Sequence, residues 1–280
     1  MWRRVSFFSY IKKKTSNRVS VGPLKVEDEV IADSTKMASI LNTSYCSMYT
    51  EEDMSSLPQA EDLCKEGEAL ETVEFTAEKV EKKLKELKPT AAPGPDKIWA
   101  RVAHDLATEL SIPLAMIYTK CMEEGVVPDE WKLANVTPIY KKGSKGLPGN
   151  YRPVSLNCIL CKVMESVIRD TMVEHLTRKC LLRQSQHGFI RGTSTVTNLL
   201  EYLEELTKAV DRGDDMDVLY MDFTKAFDKV PIRRQLSKCH GLGIREKLLA
   251  WVEEWLTGRS QRVVLNGKES ELGPIKSGVV

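Results

Sequence analysis

A short apolar run that ends in a carboxylate constrains the fold of this chain more than any other feature. The run, Val218-Leu219-Tyr220-Met221, leads directly into Asp222, and an aromatic residue, Phe227, follows soon after. Short, continuous apolar runs bounded by turn formers are typical of strands that are buried on both faces. We therefore predict a central strand that holds the Asp222 carboxylate at one edge of a sheet.

The pattern leaves two roles open for Asp222. A carboxylate fixed at the tip of a buried strand is a suitable oxygen ligand for a divalent cation that serves phosphoryl transfer. An Asp at the end of a strand also commonly caps the next turn or helix. On the pattern alone, capping is the more common role, so the case for a metal ligand depends on motifs elsewhere in the chain.

Composition narrows the class of protein. A chain of 280 residues with 42% hydrophobic and 29% charged side chains can form one large or two smaller water-soluble domains. No apolar run is long enough to cross a bilayer, so we expect no membrane partner. The net charge of +1 hides an uneven distribution, because residues 1–26 carry seven Lys or Arg and no acid.

The basic N-terminal segment fits a mitochondrial presequence, a nucleic-acid-contacting arm or a solvated linker, and the last two are favoured because no clear amphipathic helix is present.

Seven irregularly spaced cysteines indicate reduced thiols of a nuclear or cytoplasmic protein. Cys158 and Cys161 form a lone C-x-x-C pair, and a zinc ribbon needs four ligands. We read these two cysteines as apolar positions near the start of a helix.

Helical periodicity alternates with a few strand patterns, which predicts an α+β fold rich in helices. Asp33 or Ser34 is positioned to cap the first helix, Thr76 begins the second and Gly125 closes the fourth. The predicted helices cover residues 34–48, 76–88, 99–110, 113–124, 159–176, 196–210, 233–238 and 245–256. The predicted strands are residues 134–140, the 218–222 run, and a hairpin of 261–265 with 269–276 around Asn266-Gly267.

Three further segments, residues 131–143, 150–156 and 186–195, place basic or polar groups beside apolar residues. Lys141, Lys142 and Arg152 lie on or beside strand and loop ends, where they are placed to reach one triphosphate. Lysine acts on phosphate oxygens as a point charge and arginine as a fork of donors. Taken singly, each is an ordinary solvated surface charge.

In this order, and together with Pro93-Gly94-Pro95-Asp96, these segments resemble reverse transcriptases of jockey-like non-LTR retrotransposons. The resemblance covers the whole chain and is strongest over residues 93–280. It implies a right-hand polymerase in which this chain supplies the fingers and part of the palm. The implied division is a basic arm and helical N-terminal extension over 1–75, a fingers-like region over 76–215 and a partial palm over 216–280.

The resemblance also implies roles for individual residues. Asp222 matches the first metal-binding aspartate of the palm, which holds Mg²⁺ and is catalytic, and Phe227 matches the aromatic gate that excludes a ribose 2′-hydroxyl. Arg152 and one of Lys141 or Lys142 match fingers residues that contact the incoming nucleotide. The implied partners are an RNA template, a DNA primer and deoxynucleoside triphosphates; no oligomeric state is implied.

The family pattern continues beyond this sequence with a Pro-Gln-Gly loop and a hairpin that bears paired aspartates, so we expect a fragment truncated before its catalytic hairpin. Gly213-Asp214-Asp215 is no substitute, because a strand from Asp215 to Asp222 spans roughly 20 Å, whereas paired metals lie ~3.5–4 Å apart. We expect no useful polymerase activity from the isolated chain.

Two alternatives to an incomplete polymerase stay open. One is a non-catalytic nucleic-acid-binding remnant, with salt-sensitive phosphate contacts. The other is an unstable truncated product, because unpaired apolar strand edges favour aggregation. The candidate nucleic-acid contacts are the basic arm, Lys141, Lys142, Lys145, Arg152, Arg178, Lys179, Arg183 and Arg191.

Overall fold

The computed structural model describes residues 21–279 except for 28, 59, 65 and 66, so the predicted basic arm in residues 1–20 lies outside the described residues. The described helices are α1 (Ser34–Cys46), α2 (Ala77–Lys85), α3 (Ala100–Asp105), α4 (Ala107–Glu124), α5 (Ile159–Arg178), α6 (Thr195–Arg212), α7 (Ile232–Gly241) and α8 (Glu246–Leu256). The described strands are β1 (Leu24–Val26), β2 (Glu29–Ile31), β3 (Leu133–Tyr140), β4 (Tyr151–Leu156), β5 (Ser260–Leu265), β6 (Lys268–Glu269) and β7 (Gly273–Pro274).

Local capping chemistry sets several helix boundaries, and the predicted caps are confirmed. The Asp33 side chain accepts a hydrogen bond from the Lys36 backbone N–H at 2.9 Å, and Thr76 caps α2 in the same manner. Gly125 ends α4 in the left-handed conformation at φ 64°. Each contact satisfies backbone groups that a helix end leaves without intrahelical partners.

The predicted break between α3 and α4 is wrong in position. Leu106, with φ −104° and ψ 27°, interrupts the helix, whereas Pro113 lies inside α4. A proline inside a helix removes one backbone hydrogen bond. Burial of Leu114 and Tyr118 on the same helix holds α4 against the core in spite of that loss.

A five-stranded mixed sheet has the order β4-β3-β5-β6, with β7 also paired to β5. Strands β3 and β4 are antiparallel, and β3 runs parallel to β5. The predicted hairpin at Asn266-Gly267 is confirmed in its turn and first strand, but its return strand is limited to β6 and β7. Helices with a mixed sheet agree with the predicted α+β class.

Two clusters of buried side chains form the interior. The helical cluster joins α2, α4, α5 and α8 through Leu84, Tyr118, Met164 and Trp251. The sheet cluster packs α1 against β3 and β5 through residues that include Leu41, Tyr45, Val136 and Val263. Full burial of each such apolar side chain contributes about 1.5–3 kcal/mol.

The predicted strand before Asp222 is wrong. Residues 214–223 have no regular secondary structure, and Leu219 and Met221 are 82% and 80% exposed. None of the described strands pairs with this segment. An extended apolar run becomes a strand only when a neighbouring strand satisfies its backbone groups and other elements cover its side chains.

None of the described helices is both long enough and apolar enough to span a membrane.

Candidate functional site

The hairpin of β3 and β4, residues 133–156, forms the basic side of the candidate site. It contains Lys141, Lys142, Lys145 and Arg152 and no acidic residue. None of these four cations takes part in an ion pair within the described part of the chain. We call residues 133–156 the basic hairpin. It presents positive charge that the rest of the described structure does not neutralise.

Backbone pairing fixes where these cations lie. Arg152 on β4 is opposite Ile139 on β3. The Lys141 backbone N–H donates to the Asn150 carbonyl at 2.8 Å, which continues the ladder beyond the end of β3. Lys141 and Arg152 are therefore close to the same end of the sheet.

Side-chain hydrogen bonds fix the connecting loop. The Tyr140 hydroxyl donates to the Gly143 carbonyl at 2.6 Å, and the Asn150 amide donates to the Ser144 carbonyl at 2.8 Å. The Lys145 ammonium lies 5.5 Å from the centre of the Tyr140 ring, a cation–π contact. Gly143 has φ 86°, and a Cβ there would lie 2.7 Å from the Asn150 amide nitrogen, so this position favours glycine.

The turn that carries Phe227 is anchored by the segment at residues 277–279. The Val279 N–H donates to the Phe227 carbonyl at 2.9 Å, and the Ser277 hydroxyl donates to the Asp228 carbonyl at 2.6 Å. Lys225 adopts the left-handed conformation at φ 53°, a strained geometry that tightens the turn. Burial raises the pKa of the Asp228 carboxyl above its ordinary value.

A cavity of about 180 Å³ brings the Phe227 turn and the basic hairpin together. Phe227 and Asp228 line one part of it, and Pro153 and Ser155 of β4 line another. Pro153 directly follows Arg152 in β4. The structure therefore brings the predicted gate to the strand that carries the predicted phosphate-contacting arginine.

The same cavity has a polar floor that the sequence analysis missed. Arg259 is only 3% exposed, and its Nη1 donates to the Trp255 carbonyl at 3.1 Å. Burial lowers the pKa of its guanidinium, and its Nε has no hydrogen-bond partner. Asn157, which also lines the cavity, has an unpartnered Oδ1. Arginine is rarely buried, so only the tertiary structure reveals the burial of Arg259.

A second aromatic side chain reaches the Phe227 turn from residues 186–193, which we call the Phe189 loop. The Thr193 hydroxyl donates to the His187 and Ile190 carbonyls at 2.6 and 2.8 Å. Phe189 has φ 62°, a conformation that costs a non-glycine residue roughly 1–2 kcal/mol. The Phe189 and Phe227 rings meet edge to face, with centroids 5.9 Å apart and an interplanar angle of 74°.

Comparison with known proteins assigns the family. The family model "Reverse transcriptase (RNA-dependent DNA polymerase)" matches residues 139–279, which cover the end of β3, all of β4 and the Phe227 turn. The chain belongs to the reverse transcriptase family. The predicted resemblance to reverse transcriptases of non-LTR retrotransposons is confirmed.

Three curated relatives, all from Drosophila melanogaster, agree with this assignment. The probable RNA-directed DNA polymerase from transposon BS is 29% identical over 55% of this chain and 17% of its own length. The RNA-directed DNA polymerase from mobile element jockey is 27% identical over 73% and 22%. The putative 115 kDa protein in type-1 retrotransposable element R1DM is 27% identical over 92% and 24%. The chain thus spans less than a quarter of the length of each of these relatives.

The described residues do not by themselves fit the magnesium site that the family implies. Asp222 is exposed within the irregular segment 214–223. No cluster of three or more His, Cys, Asp or Glu able to hold a metal occurs in residues 21–279 outside the gaps stated above. Gly213 ends α6 in the left-handed conformation at φ 74°, and the Asp214 carboxylate forms an ion pair with Arg212, with 3.5 Å between Oδ2 and Nε. The first two residues of the Gly-Asp-Asp sequence therefore belong to the end of a helix.

The remaining predicted nucleic-acid contacts differ in how exposed their side chains are. Arg178, Arg183 and Arg191 are exposed. Lys179 is partly buried and forms an ion pair with Glu68 at 2.8 Å. The three arginines are thus the better candidates for phosphate contacts.

Proposed function

We propose that this chain is the nucleotide- and nucleic-acid-binding part of an RNA-directed DNA polymerase of a mobile element. The intact polymerase would copy an RNA template from a DNA primer with deoxynucleoside triphosphates. The observation that carries the proposal is the basic hairpin, whose four cations have no acidic neighbour in sequence and no ion pair in the described structure. Family membership supports the same reading.

The basic hairpin has the charge that a triphosphate or a nucleic-acid backbone requires. Catalysis of phosphoryl transfer is mostly positioning and charge stabilisation, so cations without competing carboxylates suit this task. We assign Arg152 to bidentate contact with phosphate oxygens, and Lys141 or Lys142 to a point-charge contact. All three are near one end of the sheet.

Phe227 is proposed to select the sugar of the nucleotide. Phe227 lines the cavity that Pro153 and Ser155 also line, next to the strand of Arg152. A ring held under the sugar would exclude a 2′-hydroxyl by volume. The hydrogen bond from Val279 to the Phe227 carbonyl would keep that ring in place.

Nucleotidyl transfer needs more carboxylates than Asp222 provides. Magnesium ions each take several oxygen ligands, and the described residues offer no cluster that supplies them. We therefore propose that the isolated chain binds nucleic acid without extending a primer. Primer extension on an RNA template with the purified chain tests this: incorporation that is lost in Asp222→Ala would contradict the proposal.

A binding titration tests the role of the basic hairpin. We would measure the fluorescence anisotropy of a labelled RNA at several salt concentrations with wild type and with the triple variant Lys141→Gln, Lys142→Gln, Arg152→Gln. Each lost phosphate contact to a single strand should reduce the salt slope by roughly 0.7. The matched control replaces three cations that already have acidic partners, Lys85, Lys120 and Lys208, by glutamine.

The two variants remove the same charge, so they separate local contacts from a general loss of positive charge. The proposal requires that the hairpin variant lose affinity and salt slope while the control keeps both. Equal loss in both variants would reject the hairpin as the binding site. No affinity of wild type at low salt would also eliminate the alternative of a non-catalytic nucleic-acid-binding remnant.

A further inference from the structure

Phe189 has an unusual combination of exposure and backbone strain. Its side chain is 91% exposed, the highest value among the exposed large apolar residues described. It is also the one aromatic residue with positive φ in the described part of the chain. Neither feature stabilises the fold, because the ring buries little surface and the left-handed backbone is unfavourable for a bulky side chain. Backbone strain that the surrounding structure maintains is concentrated at functional sites.

The Phe189 loop is held in this conformation from several sides. The Gln186 amide donates to the Gly188 carbonyl at 3.0 Å, directly before the strained residue. Thr193 bonds the carbonyls of His187 and Ile190, on either side of Phe189. The His187 ring contacts the Thr197 hydroxyl at 3.0 Å on α6. These contacts fix an aromatic ring that remains in solvent.

The sequence around Phe189 is basic, and Glu201 of α6, an acid that contacts the Phe189 loop, is paired with His187. Residues 178–194 contain four Lys or Arg and no acidic residue. Of these, Arg183 and Arg191 are exposed and form no ion pair in the described part of the chain. An exposed, preoriented ring with unpaired guanidinium groups two and six residues away along the chain suits a ligand that combines planar apolar groups with negative charge. Single-stranded nucleic acid has this combination, since its bases stack on aromatic rings and its phosphates pair with cations.

We propose that Phe189 stacks on an unpaired base of a single-stranded RNA, with Phe227 positioning the Phe189 ring through their edge-to-face contact. This inference rests on the proposed function. It adds a stacking residue for the nucleic acid, separate from the phosphate contacts of the basic hairpin. The base contact lies next to the proposed sugar gate, because the two rings touch.

The test compares Phe189→Ala, Phe189→Leu and Phe189→Trp with wild type by fluorescence anisotropy, using single-stranded RNA, the same RNA with abasic sites, and duplex RNA. Loss of one stacked base should weaken single-strand binding about 5- to 150-fold. We expect this loss in the Ala and Leu variants and retention in the Trp variant. The salt slope should stay unchanged, because no phosphate contact is removed.

Three controls distinguish the loss of base stacking from a folding defect and from a general loss of exposed apolar surface. Met116, on α4, is another exposed apolar residue, at 69% exposure, so Met116→Ala should bind as wild type does. Circular dichroism melts should coincide for all variants, because Phe189 contributes little burial. Abasic RNA should bind wild type and Phe189→Ala equally.

Equal binding of single-stranded RNA by wild type, Phe189→Ala and Phe189→Leu would overturn the inference while leaving the basic hairpin intact. The same holds if Phe189→Leu binds like wild type and Phe189→Ala does not, since an aliphatic contact to the RNA would then suffice without aromatic stacking. Failure of wild type to bind RNA at low salt would instead reject the proposed function itself.

Discussion

Replacing Gly94 by alanine should destabilise the chain through a backbone clash. A Cβ at residue 94 would lie 2.5 Å from the Asn157 carbonyl oxygen, 2.6 Å from its carbonyl carbon and 2.7 Å from the Cys158 nitrogen. All three are backbone atoms at the start of α5, so rotation of a side chain cannot relieve the contact. Ordinary van der Waals contact begins near 3.4 Å. The loop or the helix start must therefore move by roughly 0.9 Å, the difference between these distances.

This displacement has an estimable cost. Forcing an extra carbon into a well-packed contact typically costs 1–3 kcal/mol, and here no flexible atom can move away. The shift also threatens the hydrogen bond from the Cys158 thiol to the Asp96 carboxylate, which measures 2.6 Å. We expect a loss of about 2–3 kcal/mol in the free energy of unfolding. That loss corresponds to a fall of about 4–12 °C in Tm.

Urea unfolding followed by circular dichroism measures the effect, with a lower midpoint and an unchanged m value expected. Gly149→Ala is the matched control, because a Cβ there meets nothing within 4 Å and the residue has no positive φ. The control should change stability by less than about 1 kcal/mol. Equal midpoints for Gly94→Ala and wild type would refute the steric reasoning.

Two further predictions concern a helix cap and a buried thiol. Ser194→Ala should lower the free energy of unfolding by about 1 kcal/mol, because the Ser194 hydroxyl accepts from the Thr197 N–H at 3.2 Å in a reciprocal capping box. Thermal unfolding measures this loss. The control Ser194→Asp should retain most of the stability, because aspartate also caps helices. Burial raises the pKa of the Cys158 thiol from 9.0 to about 12. Above pH 9 the unfolded chain loses this proton while the folded chain keeps it, so stability should fall between pH 9 and 12. Cys158→Ala should reduce this fall in urea titrations across that range, and an unchanged pH dependence would contradict the assignment.

The helix positions were largely determined by local sequence. Asp33, Thr76 and Gly125 set helix ends through contacts within one turn, so they could be read without the tertiary structure. The boundary at Leu106 could not, because the proline signal at Pro113 was outweighed by packing of the rest of α4. The order of the motifs was enough to identify the family.

For the candidate functional residues too, some properties could be predicted from the sequence and others depended on the tertiary structure. The sequence alone was enough to select the candidate residues, because their types and their spacing along the chain can be read without the fold. These candidates are the cations of the basic hairpin, Phe227 and Asp222. Only the tertiary structure decided which of them share a cavity, that Arg259 forms its floor, and that Phe189 touches Phe227. It also decided that the apolar run before Asp222 is exposed and not a strand. A strand is stabilised by neighbours distant in sequence, so its formation depends on contacts that no local pattern contains.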